Sequence, residues 1–384
     1  MIEKNKKLVI NCSNLHGGGG LQVAVAFITD LISNEELTSH MRDEVQFIVI
    51  MSLAVERELK EDLTKIHCFF DIVEVFDAKG ILAIFYSLKI ARFKPNLIFT
   101  IFGPNYFISK SLKVTGFAQP WIIYPSLKVY RKIKGLTSKF ITYFKFELQW
   151  LYFKHDDFLI VELPHVKNAL INTRGFDSSK IAVVENSLNP AIPQNNNEII
   201  RFENKNGCIN FGLVSREYPH KNIEFAIALI AGLREKYNLD LRLHLTLSKD
   251  ESTSLNTDEY HFIVNHGPIA VKELGFFYEK IDAVILPSLL ECFSATPLEA
   301  LFYRKIIFCS DLPFMKDCVA SHAVYFDPYN LERSVSQIGE FLDELSREDF
   351  ITMTTKGFEF FNTLPSSYVR SRKYLDIIFN EIDI

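Results

Sequence analysis

A carboxylate set in an apolar run has to be held by something, so two glutamates come first. Segment 284–303, VILPSLLECFSATPLEALFY, carries Glu291 and Glu299, separated by seven residues. It reads as a buried strand, a loop, and a helix opening at Thr296-Pro297, since Thr just before Pro is a start signal. Glu291 interrupts the apolar stretch, where an unpartnered carboxylate would cost several kcal/mol, order of magnitude. Hydroxyls of a polyol ligand would satisfy both acids. Thr296-x-x-Glu299 also has capping-box spacing, so Glu299 reads equally as a helix cap.

A second group of chemistry-bearing residues lies in FGLVSREYPHKN (211–222). A strand ends near Val214, and the following loop displays Ser215, Arg216, His220, Lys221 and Asn222. Arg216 and Lys221 are two cations suited to clamp a diphosphate through charge-assisted hydrogen bonds; the plain alternative is a pair of solvated surface charges. A third feature is Gly17-Gly18-Gly19-Gly20. Free backbone N–H groups there, with a helix behind them, would suit a phosphate. The spacing is neither GxGxxG nor a Walker loop, and a tight turn is the competing reading.

The elements that must position these residues alternate strand and helix. KKLVIN, VQFIVIM (45–51), NLIFTIF (96–102), VTGFAQP (114–120), DFLIVEL (157–163) and KIAVVEN read as strands. LQVAVAFITDLI, AVERELKEDL and PHVKNALINTRG read as helices, the last running from Pro164 to Gly175. Residues 189–207 hold two Pro and six Asn in nineteen positions, a linker composition. A second series starts at CINFGLVS (208–215) and proceeds through NIEFAIALIAGLREKY (helix), LRLHLTLS, HFIVNHG (strands), VKELGFFYEK (helix), AVILPS, PLEALFYR (helix), KIIFCS and AVYFD to a helical tail. The expected fold is α/β: two Rossmann-like domains facing each other across a cleft, with ligand at the carboxyl ends of the strands. The expected boundaries are 1–188, rejoined by the C-terminal helix 366–384, a linker at 189–207, and 208–365.

Taken together, these residues resemble retaining glycosyltransferases of the two-Rossmann-domain GT-B type, family 4, also called glycosyl transferases group 1. The most specific part is the E-x7-E segment from Glu291 to Glu299. The resemblance implies that Glu299 holds ribose hydroxyls of a nucleotide and that Glu291 binds hydroxyls of the donor sugar. The backbone of Phe293, Ser294, Ala295 and Thr296 would line that sugar. Ser215 and Arg216 with Lys221 and Asn222 would bind the diphosphate, and His266, Gly267, Pro268 and Ile269 would read the base at a strand end. Gly18 and Gly19 join the donor side by their N–H groups. Glu185-Asn186-Ser187 stands at the family's turn before the linker, and Phe326-Asp327-Pro328 matches a late signature. Ser294 replaces the family's usual Gly. On the acceptor side the candidates are His16 and Gln119.

The resemblance implies transfer of a hexose from a nucleotide-diphosphate sugar to a glycan or lipid-linked acceptor, in bacterial surface polysaccharide assembly. An epimerase of the same fold is one alternative, separable by products formed without acceptor; a degenerate binding protein is another. No D-x-D occurs, so no metal and no cofactor is expected, with Arg216 and Lys221 stabilising the leaving group.

Composition sets outer bounds. The 384 residues carry 42 Lys+Arg against 47 Asp+Glu, which excludes a globally basic nucleic-acid coat. Residues 121–155 reverse that balance, with seven Lys/Arg against Glu147 alone, interleaved with two Trp, four Tyr and four Phe. This suits an anionic membrane surface; a partly buried helix with a solvated basic face and a nucleic-acid groove are the other readings. The six Cys form no CxxC pair, pointing to free thiols in a reducing cytosol. The longest uncharged stretch, Leu8 to Thr29, is too polar to span a bilayer, and the N-terminus lacks a signal-peptide core. The expected location is cytoplasmic, soluble or peripheral on the inner face of the membrane.

Overall fold

The computed structural model describes residues 4–78, 82–124, 127–130, 133, 135–193 and 207–381. Most of the expected linker, 194–206, lies outside the described residues.

Short Val/Ile/Leu/Phe runs, apolar on both faces, dictate parallel strands covered by helices on each side. The first sheet contains β1 (Lys6–Cys12), β2 (Val45–Met51), β3 (Ile72–Val75), β4 (Leu97–Thr100), β5 (Leu112–Gly116), β6 (Phe158–Val161) and β7 (Ile181–Val183) in the order β3-β2-β1-β4-β5-β6-β7. The second contains β8 (Ile209–Leu213), β9 (Leu241–Leu245), β10 (Ile263–Asn265), β11 (Ala283–Leu286), β12 (Ile306–Ser310) and β13 (Val324–Phe326) in the order β10-β9-β8-β11-β12-β13. Every pairing is parallel; β1 lies against β2 with Ile10 opposite Val49 and against β4 with Ile10 opposite Phe99.

Each sheet therefore has one place where consecutive connections leave in opposite directions: β1/β4 in the first and β8/β11 in the second. Loops leaving the carboxyl ends there diverge and open a crevice, the usual ligand position in such sheets.

The chain divides into two compact units: Met1–Tyr124 with Leu136–Asn189 and Pro365–Ile384, and Pro125–Gly135 with Pro190–Leu364. Residues 125–135 thus group with the second unit, where the sequence placed them in the first. The last helix, Ser367–Glu381, packs on the first unit's helix Gly18–Ser33. Ser371 Oγ donates to the buried Asp30 Oδ2 at 2.7 Å, Ser367 Oγ to Asp30 Oδ1 at 3.3 Å, and Tyr374 packs its ring 5.7 Å from Phe27.

Several elements differ from the sequence reading, among them the helices Leu82–Ala91, Lys249–Ser254 and Pro313–Val319, for which it gives none. The strand expected at 114–120 is Leu112–Gly116, and the chain turns into a short helix at Pro120, whose fixed φ suits a first helical position. The helix expected over 54–63 is two, Leu53–Glu58 and Leu63–Phe69. The edge strand β3 was not anticipated, because four residues around a Glu give little alternation to read. Over 271–280 only Leu274–Tyr278 is α-helical, after a tighter turn at Val271–Glu273. Gly116 is required where β5 meets β4: a Cβ there would lie 1.9 Å from the Ile101 carbonyl oxygen.

Candidate functional site

At the second unit's crevice, three loops are stitched together by the side-chain amide of Asn222 and by backbone groups. Asn222, at φ 56°, ends the loop after β8 in the left-handed region that Asn tolerates. Its Nδ2 donates to the carbonyls of Pro287 (3.3 Å), after β11, and Pro328 (3.4 Å), after β13. Leu289 N–H donates to the His220 carbonyl at 2.7 Å. The Phe326-Asp327-Pro328 signature is thus a backbone acceptor for the cation-bearing loop.

This stitching brings Lys221 Nζ to 2.6 Å from Glu291 Oε1. Glu291 is only 6% exposed, so the acid that interrupts an apolar run is answered by a lysine seventy positions earlier. Glu299, 8% exposed, accepts from Tyr278 Oη at Oε2, 2.8 Å away. Burial pushes the Glu299 carboxyl up from its ordinary range, while the Tyr278 hydrogen bond and the charge of Lys221 pull it down. The Tyr278 phenol, fully buried beside that acid, is pushed up first by burial and then by the carboxylate.

The capping-box reading of Glu299 does not hold. The helix Thr296–Phe302 has Ala295 at its N-cap with no side-chain cap, and Glu299 faces Tyr278. Thr296 Oγ1 instead donates to the Val214 carbonyl at 3.5 Å, tying this helix to the end of β8. Between the acids, Ser294 is buried, Phe293 half-buried and Ala295 exposed.

Arg216 does not join the Lys221–Glu291 pair. Its Nε donates to Glu251 Oε1 at 2.7 Å, and Glu251 also accepts from Glu217 N–H (3.1 Å) and Ser248 N–H (2.8 Å). Burial, the largest single effect on Glu251, pushes its pKa up. The Arg216 pair and the bonds from Ser248 and Glu217 together outweigh it and hold the carboxyl at about 2. Ser215 N–H donates to Thr246 Oγ1 at 3.2 Å and its Oγ to the Arg216 carbonyl at 2.9 Å, which fixes the start of the loop.

At the end of β10, His266 Nε2 lies 2.8 Å from His244 Nδ1, the rings stacked, and His244 Nε2 lies 3.0 Å from Asn210 Oδ1. Burial, then the neighbouring His266, Arg242 and Lys280, lower the His244 pKa to about 4. The side chain of His266 is thus engaged inside the unit, leaving backbone at Gly267 (φ 75°), the exposed Pro268 and the half-buried Ile269 for any ligand.

The first unit's crevice holds a cavity of about 420 Å³ lined by residues after β1 (Asn14, His16, Gly17), after β4 (Phe102, Gly103) and at Gln119, Tyr106, Lys145 and Gln149. It brings His16 and Gln119 together. His16 Nδ1 sits 3.4 Å from Asp77 Oδ1, which also accepts from Leu53 N–H. Gly17 and Gly20 line the cavity, rather than Gly18 and Gly19. Gly18, at φ 70°, makes the turn into the helix. Asn186, in the turn the sequence singled out, is buried in a chain in which it donates to Glu162 and accepts from Arg370.

Sequence reasoning missed Tyr278, Glu251, Asp77 and Gln149, whereas Lys145 belongs to the basic stretch 121–155 that it singled out. Ser248-x-x-Glu251 has capping-box spacing and could have fixed the place of Glu251, and the box does form; the others carry no local signal. Among the described residues no group of three or more His, Cys, Asp or Glu side chains could hold a metal ion, and no helix is long and apolar enough to cross a membrane.

The second crevice can offer two buried carboxylates to hydroxyls and cations to an anion. The first offers, among the described residues, amides, an imidazole and one lysine. The family described as glycosyl transferases group 1 matches residues 196–356. The O-antigen chain mannosyltransferase RfbU of Salmonella typhimurium is 27% identical over 206 residues, 49% of this chain and 54% of that protein, so the chain spans about half the length of this curated relative. Two solved structures share the fold: HepE of Anabaena, in complex with UDP and glucose (TM-score 0.67, 13% identity, 97% of this chain and 99% of that one), and a glycosyltransferase from Rickettsia africae (TM-score 0.65, 13% identity, 99% of each).

Proposed function

We propose that this chain, which carries a glycosyl transferases group 1 domain over residues 196–356 on a GT-B-type α/β fold, transfers a hexose from a nucleotide-diphosphate sugar with retention of configuration, as a family 4 enzyme. The observation that carries the reading is the pairing of Lys221 with the buried Glu291 at 2.6 Å, beside the buried Glu299, at the crevice of the second sheet.

On this reading Glu299 accepts from ribose hydroxyls and Glu291 from hydroxyls of the donor sugar. The diphosphate competes with Glu291 for Lys221 and draws on the outer nitrogens of Arg216. As the C1–O bond breaks, negative charge grows on the diphosphate, and fixed cations and N–H dipoles stabilise that state more than the ground state. No metal is assigned a part, and Glu291 orients the sugar rather than forming an adduct. Mannose as the sugar, and surface-polysaccharide assembly as the setting, are supported by the name of the Salmonella relative. The acceptor meets the first unit's cavity, near His16 and Gln119. The reading includes a cytoplasmic location and peripheral contact of residues 121–155 with an anionic membrane surface.

The test is a thermal-shift panel of nucleoside diphosphates, followed by assays with the matching nucleotide sugar. A preferred diphosphate at about 100 times its Kd should stabilise by ~2.7 kcal/mol. No shift with any of them would refute the donor site, and sugar conversion without an acceptor would replace transfer by epimerisation.

A further inference from the structure

Four polar side chains run across the second sheet, from Asp282 before β11, through Asn210 on β8 and His244 on β9, to His266 at the turn after β10. The amide of Asn210 settles the hydrogens along this line. Its Nδ2 faces two acceptors, Asp282 Oδ2 at 3.1 Å and the Cys208 carbonyl at 3.3 Å. Its Oδ1 is therefore the acceptor, and His244 Nε2, 3.0 Å away, carries a hydrogen. His244 is buried and neutral, its pKa held at about 4, so its Nδ1 is a lone pair. His266 Nε2, 2.8 Å from that lone pair, must donate to it. Burial, then the charge of Lys280, also lowers the His266 pKa and favours the neutral ring. A neutral imidazole with its hydrogen on Nε2 has a lone pair on Nδ1.

The ring that carries this lone pair is held in place. His266 N–H donates to the Leu245 carbonyl at 2.9 Å, and its ring meets the buried Phe277 edge-on at 5.6 Å. Asn265 Oδ1 accepts from Leu247 N–H at 3.0 Å and from Gly267 N–H at 3.3 Å, which fixes the turn that follows. Pro268 has no N–H to give. Among the described residues nothing bonds to His266 Nδ1, and the side chain is only half-buried. What the imidazole can still offer a ligand is thus an acceptor and not a donor.

We infer that His266 selects the base of the nucleotide: its Nδ1 accepts from a ring N–H, which uracil, thymine and guanine carry, and rejects cytosine and adenine, which set a bare ring nitrogen in that place. His244 and Asn210 are positioning residues that hold the imidazole in its accepting tautomer. A lone pair set against a lone pair leaves two polar groups unpaired, and a site discriminates more strongly by unpaired polar groups than by a small difference in apolar shape. The selection rests on the nucleotide-sugar reading of this crevice; the tautomer of His266 does not.

The full chain is titrated with UDP, GDP, CDP and ADP, and then with the better of UDP and GDP methylated at its ring N–H. Nitrogen NMR of histidine-labelled protein reads the tautomer directly. UDP or GDP should bind roughly tenfold or more tightly than CDP and ADP, and the methyl group should cost roughly tenfold or more. His266→Ala should erase this discrimination, and His266→Asn, whose side-chain oxygen stands in for Nδ1, should keep it. His244→Leu should mix the tautomers of His266 and weaken the discrimination, and His244→Asn, which restores an acceptor for Nε2, should rescue both. CDP or ADP bound as tightly as UDP and GDP, or an undisturbed methylated ligand, overturns the selection and leaves the donor site standing. A hydrogen on His266 Nδ1 in the wild type, or an unaffected His244→Leu, overturns the relay. Binding of none of the four diphosphates refutes the donor site and the selection with it, while the NMR signal still reports the tautomer.

Discussion

The two crevices occupy the same topological position in two similar sheets, yet they are built from opposite chemistry. At β8/β11 the loops are braced by side chains: Asn222 spans to Pro287 and Pro328, Lys221 meets Glu291, Tyr278 meets Glu299, and Arg216 is held by Glu251. At β1/β4 the wall, among the described residues, is glycine, amides, the aromatic Phe102 and Tyr106, His16 and one lysine around an open cavity. Parallel-sheet topology decides where a ligand can sit; the charges on the loops decide which ligand. A diphosphate needs fixed cations already in place, whereas a neutral or weakly charged acceptor needs shape and hydrogen bonds.

The largest expected effect breaks the charged crevice. Lys221→Ala should lower kcat roughly 10²–10³-fold, as removal of one leaving-group stabiliser does. It also strands the buried Glu291, for a loss of roughly 2–4 kcal/mol in chemical denaturation. Lys221→Met combined with Glu291→Gln should restore stability without restoring turnover, and recovery of turnover would mean the pair is only structural.

Next comes Glu299→Gln, which should weaken nucleotide binding by ~1.5–3 kcal/mol, the range for hydrogen bonds to a charged acceptor. The loss should appear in donor KM more than in kcat. Gln119→Ala, in the other crevice, should leave nucleotide affinity where it was.

Acid should act on the second unit. Because the folded His244 is held at about 4, below its ordinary 6.5, the unfolded chain binds the proton first. Stability is therefore intact above about pH 6.5 and falls as pH drops toward about 4, by on the order of 2 kcal/mol. Denaturation curves across that window, with His244→Asn flattening the slope, check the sign.

Gly18→Ala should destabilise the first unit by ~1 kcal/mol, because φ 70° disfavours a Cβ although nothing lies within 4 Å of it. Glu251→Ala should have the smallest effect, a rise of about two- to fivefold in donor KM, since Arg216 is largely exposed and such pairs contribute little. A larger loss would mean that Glu251 fixes the orientation of Arg216 for the diphosphate.

These contrasts also show what a sequence discloses. The α/β class was legible because strand cores such as VQFIVIM and AVILPS are short apolar runs, and helix starts at Pro164 and Thr296-Pro297 carry their own signals. Glu291 and Lys221 could each be singled out by type and context. Their contact could not, since it depends on the loops after β8 and β11 being brought side by side by strand pairing. Tyr278 is one aromatic among several in VKELGFFYEK, and nothing in that segment discloses that its hydroxyl reaches Glu299. Arg216 looked like half of a clamp with Lys221 because sequence proximity hides the pull of Glu251. The stretch 121–155 announced its composition, but only the helix Leu136–Phe153 shows which apolar side chains the core uses and which remain outside.

The central claim is that the second crevice is a nucleotide-diphosphate site. Its most direct measurement is calorimetric titration of UDP and GDP into the wild type and into a Lys221→Ala/Glu299→Gln variant. The account predicts saturable binding of one diphosphate by the wild type and at least a hundredfold weaker binding by the variant. Equal affinity in the two proteins, or binding by neither, would contradict it.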